Sequence, residues 1–393
     1  MDNFQIISAL CRQVVKDGAS EGSLLQMERL YQSYSEAGSA DEANMLRGLI
    51  EKANLKKAMT PVKVELSRAT YLNGQTLTRN TKIPVDRDSS APLAEVIFPE
   101  DIVDQDMPVL STDLTYAVDQ LIEQWSHADK LAAFGVMPSL SCLFFGMPGT
   151  GKTKLAFYVA KKLSLPLVLT RLDGLVSSLL GTSARNISNL FNFADQYNCL
   201  LLLDEFDAVA KSRNDKQEVG EIKRIVNTLL QCIDSRSKTG MTIAITNHEV
   251  LLDPAVWRRF DIRIFVNKPN AAVREKIIER YLPPLKLDAD ELRLLSIITE
   301  SYSGSDIEVM LNSFKRSVAI NGESHSFIEM VKSYAVRNAG QENEFSELIV
   351  NDHERELMKK LYNECGFSQQ KIAKLFHTNQ SRVSRNISES IDN

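Results

Sequence analysis

No apolar run in this 393-residue chain approaches the roughly 18 residues that a membrane-spanning helix requires. The opening Met1-Asp2-Asn3-Phe4 also lacks the basic start of a secretory leader, so no membrane contact and a cytoplasmic location are the expectation. Cysteine is scarce. Cys11, Cys142, Cys199, Cys232 and Cys365 are odd in number and scattered, without a Cys-x-x-Cys pair, which argues against a disulfide framework and against a zinc site. The net charge of −5 is too small and of the wrong sign for whole-surface affinity to nucleic acid or anionic membrane, so any such contact must be local. Neither His-Glu-x-x-His nor Gly-x-Ser-x-Gly occurs, and with them go the recognisable protease sites. What remains, 44% hydrophobic and 25% charged residues, is the composition of a globular chain long enough for two or three domains.

Periodicity divides the chain. Residues 1–61 carry helical spacing in two stretches, Leu24 to Tyr31 and Ala43 to Ile50, with the turn-like Ser35 to Ser39 between them, which predicts a helical pair. Residues 62–100, with Asn73-Gly74, Pro84 and Pro92, read as a linker with one short strand or hairpin. Across 101–268, apolar runs of strand length alternate with helical stretches: Leu140 to Phe145, Leu165 to Thr170, Cys199 to Leu203, Thr242 to Thr246 and Ile262 to Val266. Runs without polar alternation belong to strands buried on both faces, so an α/β fold with a doubly wound parallel sheet is expected. Residues 269–340 are wholly helical in pattern, a small second domain, and 341–393 hold a further helical unit.

The chemistry concentrates in two places. Gly146-Met147-Pro148-Gly149-Thr150-Gly151-Lys152-Thr153 follows directly on an apolar strand and precedes an amphipathic helix carrying Leu155, Ala156, Val159 and Leu163. That is a Gly-x4-Gly-Lys-Thr phosphate loop. Its backbone N–H groups converge on phosphates, Lys152 reaches the β and γ phosphates, and Thr153 offers a hydroxyl to Mg²⁺. The nucleotide-contacting set is Gly146, Pro148, Gly149, Thr150, Gly151, Lys152, Thr153 and Lys154. Further on, Leu200 to Leu203 run into Asp204-Glu205, two carboxylates at the C-terminal end of a buried strand, where open α/β sheets bind ligands. Asp204 suits Mg²⁺ and Glu205 suits polarising a water.

These motifs, with Ile243 to Asn247 and Leu252-Asp253-Pro254-Ala255-Val256-Trp257-Arg258-Arg259-Phe260-Asp261, resemble the AAA family of ATPases from about Asp101 to Ile320. The resemblance implies a lid domain on the sheet domain, a ring of identical subunits that is usually a hexamer, and ATP with Mg²⁺ between neighbours. It further implies that Asn247 orients the lytic water and that Arg258 and Arg259 are arginine fingers for the next subunit. Ser303-Gly304-Ser305-Asp306 resembles the family's lid segment in which Gly304 approaches the nucleotide; Ser305 or Asp306 capping a helix explains it equally well. Two departures stand out. Met147 replaces a usual proline, and Leu179 stands where peptide-threading members carry a pore aromatic. Leu179 and Leu180 either grip apolar segments in a pore or pack on the sheet. Asp215 to Val219, at the place of a second pore loop, reads only as a polar turn.

The last segment has Glu356 to Tyr362, Gln369 to Phe376 and Gln380 to Ile387 as helices. It resembles the helix-turn-helix of bacterial regulators, which would place Gln380, Ser381, Arg382, Ser384 and Arg385 on an exposed face able to contact DNA base edges. The segment is only weakly basic, and several copies in a ring would compensate by avidity. A tri-helical protein adaptor is the alternative. The leading expectation is an ATP-driven ring that remodels a protein or protein–DNA complex. Its helical N-terminus and core resemble bacterial ATPases encoded beside subtilisin-like serine peptidases, which makes a separate peptidase a candidate partner. The competing expectation is a DNA-binding regulator whose ATP site switches assembly.

Overall fold

The computed structural model describes residues 3–17, 21–59, 74–104, 107–172, 180–208, 219–236, 239–321, 326–338, 347–349 and 353–388. The chain divides into two compact units, Met1–Ala69 and Thr70–Asn393.

Among the described residues the first unit holds three helices, α1 (Asn3–Asp17), α2 (Glu21–Glu36) and α3 (Ala40–Met59), where the spacing predicts two. The additional helix is α1. Its Phe4, Ile7, Cys11 and Val14 recur at helical spacing and join Met27 and Leu46 in one apolar cluster. Gly38 ends α2 with φ +78°, and the Ser39 N–H turns back onto the Tyr34 carbonyl at 3.1 Å, a left-handed helix stop of the kind glycine favours.

The second unit is built on a six-stranded sheet of order β1-β3-β4-β5-β2-β6. The strands are β1 (Glu95–Ile97), β2 (Ser141–Phe145), β3 (Leu167–Arg171), β4 (Leu200–Asp204), β5 (Thr242–Thr246) and β6 (Ile262–Phe265). All neighbours are parallel except β1, which pairs antiparallel with β3. Five strands coincide with the apolar runs to within two residues, and β1 is the short strand expected in the linker. Helices α4 (Thr112–Ser126), α5 (Ala128–Ala133), α6 (Lys152–Leu163), α7 (Leu180–Gln196) and α8 (Val219–Ser235) connect them. Alternate side chains of β4 explain its unbroken leucines. Leu200 and Leu202 enter a core with Phe144, Leu155 and Val159, while Leu201 and Leu203 enter another with Leu143, Ile187 and Leu229. With both faces covered, the first four positions of the strand are all apolar, and only its C-terminal end carries a polar residue, Asp204.

After the four-residue helix α9 (Pro254–Trp257) and β6 the unit is helical: α10 (Ala271–Tyr281), α11 (Ala289–Ile298), α12 (Gly304–Asn321), α13 (Phe327–Arg337), α14 (Glu354–Asn363), α15 (Gln369–Leu375) and α16 (Gln380–Ser388). Both helical segments predicted from the sequence contribute to one buried cluster, in which Ile277, Leu295, Leu311 and Phe314 meet Leu361, Phe367, Ile372 and Val383. Polar bonds reinforce the seam. Asp288 caps α11 in a capping box with Glu291 and also holds Lys374 at 2.6 Å; Asp290 holds Lys371. The Arg293 guanidinium donates to the Cys365 carbonyl at 2.7 Å and lies over the Phe367 ring at 4.8 Å. Phe367 is therefore a linchpin between lid and terminal helices. Phe367→Ala should destabilise this helical body by about 3–5 kcal/mol, read as a lowered urea midpoint with helical content retained before the transition. No helix among the described residues is long and apolar enough to cross a membrane.

Candidate functional site

The loop after β2 is shaped by close approach. Gly146 has φ +138°, and a Cβ there would lie 2.4 Å from the Val266 carbonyl oxygen. Gly149 has φ +73° and would place a Cβ 2.4 Å from Ser303 Oγ, so the lid rests directly on the loop. Only glycine meets both demands. Gly151 opens α6 in the left-handed region, leaving the first N–H groups of that helix aimed into the loop.

Lys152 is buried, and its ammonium donates to the carbonyls of Gly146 at 2.8 Å and Met147 at 2.7 Å. Burial lowers its pKa to about 8 against the opposing fields of Asp204, Glu249 and Asp207. Thr153 Oγ1 donates to Asp204 Oδ2 at 3.1 Å, and Asp204 Oδ1 accepts the Glu205 N–H at 2.9 Å. Glu205 takes φ +55°, a left-handed turn that few non-glycine residues adopt. The turn is fixed from behind, where the Phe206 N–H bonds the Ile245 carbonyl at 2.8 Å and the Phe206 ring is buried.

Lys152, Thr153, Asp204, Glu205 and Asn247 line one cavity of about 370 Å³, with Pro148, Gly149, Thr150, Gly151 and Lys154. The lid closes it with Ile277, Arg280, Tyr281, Gly304, Ser305 and Glu308, and the segment Met107-Pro108-Val109 forms the remaining wall. Gly304 is the first residue of α12, and the helix is capped reciprocally by Ser303 and Asp306, each taking the other's N–H. Ser305 instead gives its N–H to the Gly149 carbonyl at 3.2 Å. The Lys154 ammonium leaves the loop for the lid, bonding the Tyr281 hydroxyl at 2.9 Å.

Several of these residues escape sequence reasoning. Met107, Val109, Ile277 and Tyr281 carry no local motif, and tertiary packing alone brings them to the cavity. Asp207 does carry a signal, as the third acid of the run Asp204, Glu205, Asp207. It is buried and accepts from Thr246 Oγ1 and the Asn247 N–H, each at 3.4 Å.

The arginine pair stands elsewhere. Asp261 Oδ2 accepts the N–H groups of Leu140 at 2.9 Å and Ser141 at 3.1 Å, and Ser141 Oγ donates to the Arg259 carbonyl. This clamps the segment to the N-terminal ends of β2 and β6, a strand's length from the phosphate loop. Arg258 is exposed, Arg259 bonds Asp234 at 2.8 Å, and neither lines the cavity of its own chain. Leu179 and residues 215–218 lie outside the described residues; Leu180 and Val219 open α7 and α8, their side chains likewise undescribed. On α16, Gln380, Ser381, Arg382 and Arg385 are exposed, Ser384 is half-buried and Val383 is buried. Ser368 caps α15, Asn379 caps α16, and Arg382 lies 3.7 Å from Glu354.

An uncharacterized AAA family ATPase of Sinorhizobium fredii is 35% identical over 284 residues, covering 68% of this chain and 86% of the relative. The chain belongs to the AAA family of ATPases. The family description, "ATPase family associated with various cellular activities (AAA)", matches residues 142–268, which run from β2 past β6. The ATP-dependent zinc metalloprotease FtsH 4 of Synechocystis is 31% identical over 265 residues, 65% of this chain but 41% of the metalloprotease. A proteasome-activating nucleotidase of Methanococcus maripaludis is 28% identical over 264 residues, 65% of each chain. As an AAA ATPase the protein hydrolyses ATP. The donor set also suits a divalent ion: a hydroxyl and a carboxylate oxygen lie side by side at the mouth of the loop, hard ligands of the kind Mg²⁺ takes beside phosphates. The helices α14 to α16 of this AAA ATPase lie outside the matched residues.

Proposed function

We propose that the chain assembles into a ring, six-membered by family resemblance, and hydrolyses ATP at each junction to remodel a protein or protein–DNA complex. One observation carries this. The groups that bind and cut converge on one cavity, while Arg258 and Arg259 are held at the far ends of the strands, where they serve a neighbour's site.

The roles follow from position. Backbone N–H groups of Gly149 to Thr153 cradle the phosphates, and Lys152 exchanges its two carbonyl partners for β and γ phosphate oxygens. Thr153 and Asp204 would hold Mg²⁺, whose charge, when bound, offsets that of the phosphates. Glu205, turned out by its left-handed backbone, takes the proton of the attacking water. Asn247, tethered by Asp207, orients that water. The neighbour's Arg258 neutralises charge developing on the γ-phosphate, with Arg259 released from Asp234 as a second donor.

Two relatives are named for proteolysis, an ATP-dependent metalloprotease and a proteasome-activating nucleotidase, which supports a protein client and a separately encoded peptidase, subtilisin-like by resemblance. A second reading rests on α16: its exposed Gln380, Arg382 and Arg385 suit purine edges, and the ATP site would then switch assembly of a DNA-binding regulator. ATPase rate per subunit, measured against protein concentration, should rise steeply as rings form. A rate independent of concentration would exclude shared sites, and stimulation by duplex DNA but by no protein would favour the regulator.

A further inference from the structure

Lys154 follows Thr153 on α6 and also lines the cavity, and its ammonium is bonded to the lid. It donates to the Tyr281 hydroxyl at 2.9 Å, lies 5.6 Å from the centroid of the same ring and approaches the Glu308 carboxylate at 3.7 Å. Tyr281 is the last residue of α10, and Glu308 sits in the second turn of α12. One cation of the sheet domain thus joins the two lid helices that wall the cavity. A second tether, the Ser305 N–H on the Gly149 carbonyl, acts on the same lid helix. The ion pair is half-exposed and weak alone; the hydroxyl bond gives the cluster its hold and direction.

We propose that Lys154, Tyr281 and Glu308 form a clasp that keeps the lid on the phosphate loop and so governs how fast nucleotide leaves. Lys154 is then a positioning residue, acting on the nucleotide through Tyr281 and the lid. The inference rests on the cavity being the ATP site. It concerns escape of nucleotide and is separate from cleavage of the γ-phosphate.

The test is release of ADP bearing a fluorescent N-methylanthraniloyl label, followed by stopped flow on the full chain. Tyr281→Phe keeps the ring and removes the hydroxyl, and should speed release about threefold to tenfold, the worth of one hydrogen bond. Lys154→Met should do the same, the double variant should release no faster than the faster single variant, and Lys154→Arg should restore most of the hold. Unchanged release in Tyr281→Phe, or fully additive effects of the two substitutions, would overturn the clasp. So would a loss confined to Lys154→Met and larger for ATP than for ADP, the mark of a direct phosphate contact. If the unmodified protein bound no labelled ADP, the reading of the cavity would fall first and the clasp with it.

Discussion

Lys152→Ala and an Arg258→Ala/Arg259→Ala double variant, each inactive alone, should regain ATPase activity when mixed before assembly. The first keeps its arginines and loses its phosphate contact; the second keeps the cavity and loses the groups offered to a neighbour. In an equimolar mixture about a quarter of head-to-tail junctions unite an intact cavity with intact arginines. Those junctions should turn over against a background reduced by about 10³–10⁵ for loss of an arginine finger. The expectation rests on the proposed ring and on the clamp by Asp261 and Ser141, which pins the arginine segment to the opposite end of β2 from the loop. Failure of mixtures to recover, with both variants still forming rings, would mean that each chain completes its own site.

Glu205→Gln should abolish turnover and preserve binding. The amide is the same size and can occupy the same left-handed turn, and Lys152, Thr153 and Asp204 are untouched. It cannot accept the water's proton, and removal of a general base costs about 10²–10⁴ in rate. The variant should therefore retain unhydrolysed ATP, measurable as γ-labelled nucleotide that stays with the protein through gel filtration. Wild-type turnover in this variant would remove Glu205 from the chemistry.

The legible parts of this molecule were those whose meaning is local. Four leucines in a short run, among other apolar runs of strand length that alternate with helical stretches, fit a strand covered on both faces, so β4 and its terminal Asp204-Glu205 could be located from the sequence. The phosphate loop announces itself because its glycines, lysine and threonine serve one ligand within eight residues. Strand β1 was legible only as one short strand somewhere in the linker, since three residues at a sheet edge carry no periodicity. Helix α1 was legible too, since Phe4, Ile7, Cys11 and Val14 stand at helical spacing. Asp207 was visible in the motif, but its bond to Asn247 depends on β4 and β5 being neighbours. The lid's share of the cavity, and the common core of lid and terminal helices around Phe367, arise from contacts distant in the chain that no spacing encodes.

The central claim, that ATP turnover here acts on a protein, is tested most directly by using the arrested state as a trap. Glu205→Gln protein is captured from its native cell extract with ATP present, beside Lys152→Ala, and both protein and nucleic acid in the captured material are identified. The account predicts a defined protein, a peptidase among the candidates, held by Glu205→Gln and absent from Lys152→Ala. A defined DNA sequence recovered with no protein would contradict it and make the molecule a regulator.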